Sequence, residues 1–213
     1  GLENMARIFR KAKFPIVCAN YDFTGTVVEG LVKPYVIIKR KGVRIGIFGL
    51  SPKLDGLVMA STCAGVRYSD PIKTANAVAD KLKNEEKCDV VICLSHLGWD
   101  EAGLNDMEMM AKTRNIDLVL GGHIHLSYTL AVHGLPRRLW VLQAGTAISS
   151  RTRPEAPNSV NILRWGEAVG APGDLAQAGA EKGVFCLIEQ WDFAPRDQVF
   201  IRTSVTPVLP ERA

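Results

Sequence analysis

What the chain lacks narrows the field before what it has. Its apolar runs stop after a handful of residues, Val90–Leu94 being typical, far short of the roughly 20 that a membrane-spanning helix needs. No basic segment followed by an apolar run, the pattern of a secretory leader, stands at its beginning. The 5 cysteines are odd in number and scattered through mostly apolar segments. They read as small buried hydrophobes rather than a disulfide framework. Nor is there a basic arm: the net charge of +4 is spread along the chain, so neither a nucleic-acid nor a membrane partner is expected. Lysine itself becomes scarce. Residues 1–126 hold 11 Lys and 6 Arg, whereas residues 127–213 hold 1 Lys and 8 Arg.

What is present suits one folded domain. At 213 residues, 47% apolar and 23% charged, the chain can bury a core of ordinary size and is not compositionally disordered. Phe14–Ala19, Tyr35–Arg40 and Arg44–Leu50 read as strands, the last two joined by a turn at Lys41-Gly42-Val43. Asp70 and Pro71 open a helix with Ile72, Ala75, Ala79 and Leu82 at helical spacing, ending near Lys87. Val90–Leu94 reads as a buried strand delivering Ser95 and His96. A second helix is predicted to bury Leu104, Met107 and Ala111, and the strand Ile116–Leu120 then delivers Gly121-Gly122-His123-Ile124-His125. Helices alternating with buried strands imply βαβ units with functional loops at the strands' C-terminal ends. Strands are predicted at Leu139–Gln143, Val160–Leu163, Val184–Gln190 and Val199–Val205, with a Gly/Ala-rich connection over 166–183.

The chain has 4 histidines, and His96, His123 and His125 fall at the two strand ends. Neutral imidazole is the commonest metal ligand. Two histidines two apart in a glycine-flanked turn can serve two ions or clasp one, and the glycines allow close backbone approach. His133, before Gly134, reads as a turn residue.

Leu94-Ser95-His96-Leu97-Gly98 and Gly121-Gly122-His123-Ile124-His125 resemble the last two blocks of the calcineurin-like metallophosphoesterases. Residues 1–125, with Gly1-Leu2-Glu3-Asn4, Phe14–Asn20 and Gly46–Leu50, are similar to the 5'-nucleotidase branch. Residues 126–213, with Val141–Ala147, Ser149–Arg153 and Asn158–Asn161, are similar to bacterial members of the cyclic-nucleotide phosphodiesterase type. The two resemblances meet near 122–130, where the use of Lys and Arg changes, and this marks a possible sequence junction within a single domain spanning 1–213. The resemblance implies an α/β fold of layered β-sheets flanked by helices, a phosphate ester or nucleotide substrate, and divalent metal. It would have His96 and His123 bind one ion and His125 the other.

The family also uses Asp-x-His, Gly-Asp and Gly-Asn-His blocks. The first and last occur nowhere in this chain, and Gly173-Asp174 lies in the Gly/Ala-rich stretch with no strand before it. An N-terminal half of the fold is therefore expected to be missing from this sequence. Two cations about 3.5–4 Å apart repel strongly unless carboxylates and a bridging oxygen hold them. Three neutral histidines supply no negative charge, so a single Zn, Mn or Fe ion is expected here. The leading expectation is a metal-dependent phosphoester hydrolase with an incomplete two-metal site. A non-catalytic module with a vestigial metal site and a mononuclear zinc hydrolase are the alternatives. Arg151 and Arg153 could contact a phosphate or line a solvated turn. Compartment, cytoplasmic or periplasmic, is left open.

Overall fold

The computed structural model describes residues 1–99, 103–136, 139–150, 152, 156–165 and 186–208. The chain divides into two compact units, an N-terminal one of Gly1–His123 and a C-terminal one of Ile124–Ala213.

The N-terminal unit begins with α1 (Leu2–Phe9), followed by the short strands β1 (Ile16–Val17), β2 (Tyr21–Asp22) and β3 (Val32–Lys33). Phe14–Ala19 thus shrinks to a two-residue strand, which pairs in parallel with β3. Next come β4 (Tyr35–Arg40) and β5 (Val43–Leu50), paired antiparallel. Lys41 and Gly42, with φ of 47° and 87°, form a two-residue hairpin loop whose backbone twist matches the right-handed twist of the strands. After β6 (Arg67–Tyr68), which pairs with β2, α2 runs from Pro71 to Asp80. Asp70 caps it by accepting from the Lys73 amide at 2.8 Å, as its position before Pro71 implies. A π-helical turn, Lys81–Glu85, continues it, and the chain reverses at Lys87 with φ of 54°.

Strand β7 (Val90–Ser95) then pairs in parallel with β5, and β8 (Leu118–Gly121) pairs in parallel with β7. Within this unit the strand order is β4-β5-β7-β8. Val90, Val91, Ile92 and Cys93 are all buried, as a strand covered on both faces requires. Between β7 and β8 lies α3 (Asp106–Lys112), capped by Asn105, whose side chain accepts from the Glu108 amide at 2.9 Å. Its buried residues are Asp106, Met109 and Met110, while Met107 is 51% exposed and Ala111 is also exposed. The face predicted from Leu104, Met107 and Ala111 is therefore wrong. The inward stripe includes a carboxylate, and that breaks the apolar period by which such a face is read.

The C-terminal unit contains the hairpin β9 (Tyr128–Val132) and β10 (Leu139–Gln143), then the antiparallel meander β11 (Ser159–Trp165), β12 (Cys186–Ala194) and β13 (Val199–Val208). Strand β9 is an addition to the sequence reading, and exposed His133 follows directly after it. The connection 166–183, Gly173-Asp174, Arg151 and Arg153 lie outside the described residues. The fold is mixed α/β, with sheets flanked by helices.

Candidate metal centre

The site grows from the C-terminal ends of the parallel neighbours β7 and β8. At the end of β7, the His96 amide donates to the Leu50 carbonyl at 3.0 Å, so the chain still follows β5 where the histidine leaves the sheet. One strand over, the Gly122 amide donates to the Ser95 carbonyl at 2.8 Å. This carries the ladder just past the last register pair, Ser95 with Gly121. The two loops are thus fixed to each other at the point where each presents a histidine.

His96 and His123 meet there. His123 Nδ1 lies 3.5 Å from His96 Nε2, and the rings stand edge to face with centroids 5.1 Å apart and planes at 85°. Both side chains are exposed at the end of the sheet. Two imidazole nitrogens bound to one tetrahedral zinc at 2.0–2.1 Å would stand roughly 3.3 Å apart. The observed separation is close to that value.

Two local features mark the turn that carries His123. A Cβ at Gly122 would lie 3.0 Å from His96 Nδ1, so any larger residue there would press on the ring. His123 and His125 have φ of 80° and 58°, a region that non-glycine residues enter only at a cost of about 1–3 kcal/mol each. Such strain concentrates where a side chain must be aimed. His125 is half-buried and belongs to the C-terminal unit, second residue from its start. Among the described residues, no three His, Cys, Asp or Glu side chains form a group that could hold an ion.

One residue beside the site was invisible in the sequence. Asp106, with no exposed surface, accepts a hydrogen bond from the Ser95 hydroxyl through Oδ1. Burial pushes its pKa up to about 6, against the lowering effect of that hydrogen bond. Its signal was an Asp one residue after a capping Asn, and that reads as an ordinary first-turn acid.

The calcineurin-like phosphoesterase family matches residues 21–127, half of the chain. Among known proteins, the trifunctional nucleotide phosphoesterase YfkN of Bacillus subtilis is 30% identical over a match covering 55% of this chain and 9% of that one. A 5'-nucleotidase of Vibrio cholerae is 27% identical over 75% of this chain and 30% of its own length. The chain therefore spans less than a third of these relatives. Among solved structures, a 5'-nucleotidase precursor from Thermus thermophilus superposes with a TM-score of 0.60 at 20% identity, covering 97% of this chain and 36% of that one. YfkN superposes with a TM-score of 0.57 at 20% identity, over 97% and 58%. At such identities these structures speak for the fold, and the matched sequence, ending just beyond the two histidine-bearing turns, assigns the chain to the calcineurin-like phosphoesterase family.

Proposed function

We propose that this chain is part of a metal-dependent phosphoester hydrolase acting on a nucleotide or another phosphate ester, and that His96 and His123 hold one of its ions while His125 serves the other. The family supports phosphoester hydrolysis with divalent metals, and the relatives are named a nucleotide phosphoesterase and a 5'-nucleotidase. The observation that carries the site reading is the 3.5 Å pairing of His96 and His123 at adjacent strand ends. When bound, the metal would supply Lewis acidity toward a phosphoryl oxygen and a water activated as nucleophile.

The chain's own residues orient rather than react. The close approach at Gly122 and the hydrogen bonds from His96 to Leu50 and from Gly122 to Ser95 support the reading by fixing the backbone where the two histidines leave the sheet. Neutral imidazoles donate lone pairs but do not offset the mutual repulsion of two divalent ions. On its own the chain should therefore take up one ion and hydrolyse little.

Elemental analysis after equilibration with Zn²⁺ or Mn²⁺ tests this. About one ion per chain is expected, lost in His96→Ala and in His123→Ala, with little turnover of an aryl phosphate. Two tightly held ions, or brisk metal-dependent turnover by this chain alone, would show that its donor set is larger than these histidines.

A further inference from the structure

Asp106 is a buried carboxylate with an unusual set of partners. Its amide donates to the Gly98 carbonyl at 2.8 Å, while its Oδ1 accepts from the Ser95 hydroxyl. That same hydroxyl oxygen accepts from the Leu97 amide at 3.3 Å. One residue at the start of α3 thereby grips the turn Ser95–Gly98 by both backbone and side chain. The other carboxyl oxygen, Oδ2, is buried with no hydrogen-bond partner among the described residues. No lysine or arginine among the described residues forms an ion pair with it. A buried carboxylate without a counter-charge is costly, and the side-chain cap of α3 is already supplied by Asn105.

Its contacts point to His96. The backbone around that histidine is fixed by three hydrogen bonds: its own amide to Leu50, the preceding Ser95 carbonyl from Gly122, and the following Leu97 amide to the Ser95 hydroxyl. The third depends on the rotamer of Ser95. With its oxygen directed at Leu97, the hydroxyl needs an acceptor for its proton, and Asp106 Oδ1 is that acceptor.

We propose that Asp106 is a positioning residue, setting the Ser95 rotamer and through it the turn that aims the His96 imidazole at the metal. Asparagine could accept the same proton, but its amide group would bring two donors to the place of the unpartnered Oδ2, so it should serve only in part. The inference rests on the reading of His96 as a metal ligand.

Two readouts keep the two ideas apart: Zn²⁺ titration by calorimetry, and histidine ring NMR of the protein without added metal. Asp106→Ala and Ser95→Ala are each expected to weaken Zn²⁺ binding about 10- to 100-fold. The double variant should be no weaker than either single one, because both act through one contact. Asp106→Asn should fall between, and Glu108→Ala on the same helix should match the parent. Unchanged affinity, or losses that multiply in the double variant, would overturn the proposal. If the parent chain binds no Zn²⁺, the ligand reading fails, and the positioning role is then judged on the rings. Asp106→Ala must alter the His96 ring nitrogen shifts and its cross-peaks to His123 where Glu108→Ala does not, and unaltered rings would overturn it. Should Asp106→Ala not fold, Ser95→Ala and Asp106→Asn carry both readouts.

Discussion

The two units each bury a carboxylate and treat it in opposite ways. In the N-terminal unit, Asp106 sits behind β7 with one hydroxyl for company, and desolvation raises its pKa to about 6. In the C-terminal unit, Glu189 on β12 is also buried, but Arg164 grips it with a fork of 2.8 and 3.3 Å. Arg202 and the indole of Trp191 add contacts at 3.3 and 3.0 Å, and these partners hold its carboxyl below the usual range. Neighbouring strands of a meander can supply cations to both sides of a central residue. The first turn of a helix packed behind a strand end offers only what the strand end carries. Arginine forks occur in the N-terminal unit too, from Arg114 to Asp80 and Arg67 to Asp22, but on more exposed carboxylates. The preference for arginine after residue 126 coincides with a fork on a buried acid, where a planar bidentate donor outperforms a lysine.

The largest expected effect comes from glycines that leave no room. A Cβ at Gly49 would lie 2.4 Å from the Val17 carbonyl oxygen, which is backbone and cannot swing away. At Gly145 the obstacle is the Ser159 hydroxyl at 2.2 Å, a side-chain atom that can rotate. Gly49→Ala should therefore destabilise the N-terminal unit by about 3 kcal/mol or more. Gly145→Ala should cost the C-terminal unit about 1 kcal/mol, relieved by adding Ser159→Ala. Urea unfolding followed by hydrogen exchange in β5 and β10 separates the two. Equal costs would mean that Ser159 is as fixed as backbone.

Acid titration should divide the units next. Asp106 has its folded pKa raised from the ordinary aspartate range to about 6, so the native state binds more protons between about pH 4 and pH 6. The N-terminal unit should lose stability as pH rises through that window, by up to about 3 kcal/mol. Glu189 is shifted down, so its contribution is present above the usual glutamate pKa and fades as pH falls through the lower folded value. Hydrogen exchange of β7 and β12 amides from pH 3 to 7 should thus give slopes of opposite sign. Asp106→Asn should flatten only the first and Glu189→Gln only the second. Slopes of the same sign would mean that burial does not govern Asp106.

What could be read from the sequence follows the range of the forces involved. The Lys41-Gly42 hairpin, the Asp70 cap and the ends of β5 and β7 are set by residues within a few positions of one another, and each stands close to where its pattern implies. The meeting of His96 and His123 was legible for a longer-range but simple reason: both follow buried parallel strands, and parallel neighbours end side by side. The inward face of α3 was not, because Asp106 occupies a position that apolar spacing assigns to a hydrophobe. The Gly122 cradle was half legible. Its glycine announced close approach, but only the fold shows that the approaching group is the His96 ring.

The smallest expected effect concerns the choice of cation itself. Arg164 and Arg114 are similarly exposed, at 59% and 65%, yet the carboxylate each grips differs, with Glu189 at 5% and Asp80 at 29%. Replacing either arginine by lysine keeps the charge and removes the fork. The more buried carboxylate has less water to fall back on, so Arg164→Lys should cost about 1 kcal/mol, with Arg202 still in place, whereas Arg114→Lys should cost a few tenths. Thermal unfolding of both variants, at low and at high salt, measures the difference, which should narrow little with salt because Glu189 is shielded from it. Equal costs at both sites would detach the arginine-rich character of the C-terminal unit from carboxylate burial.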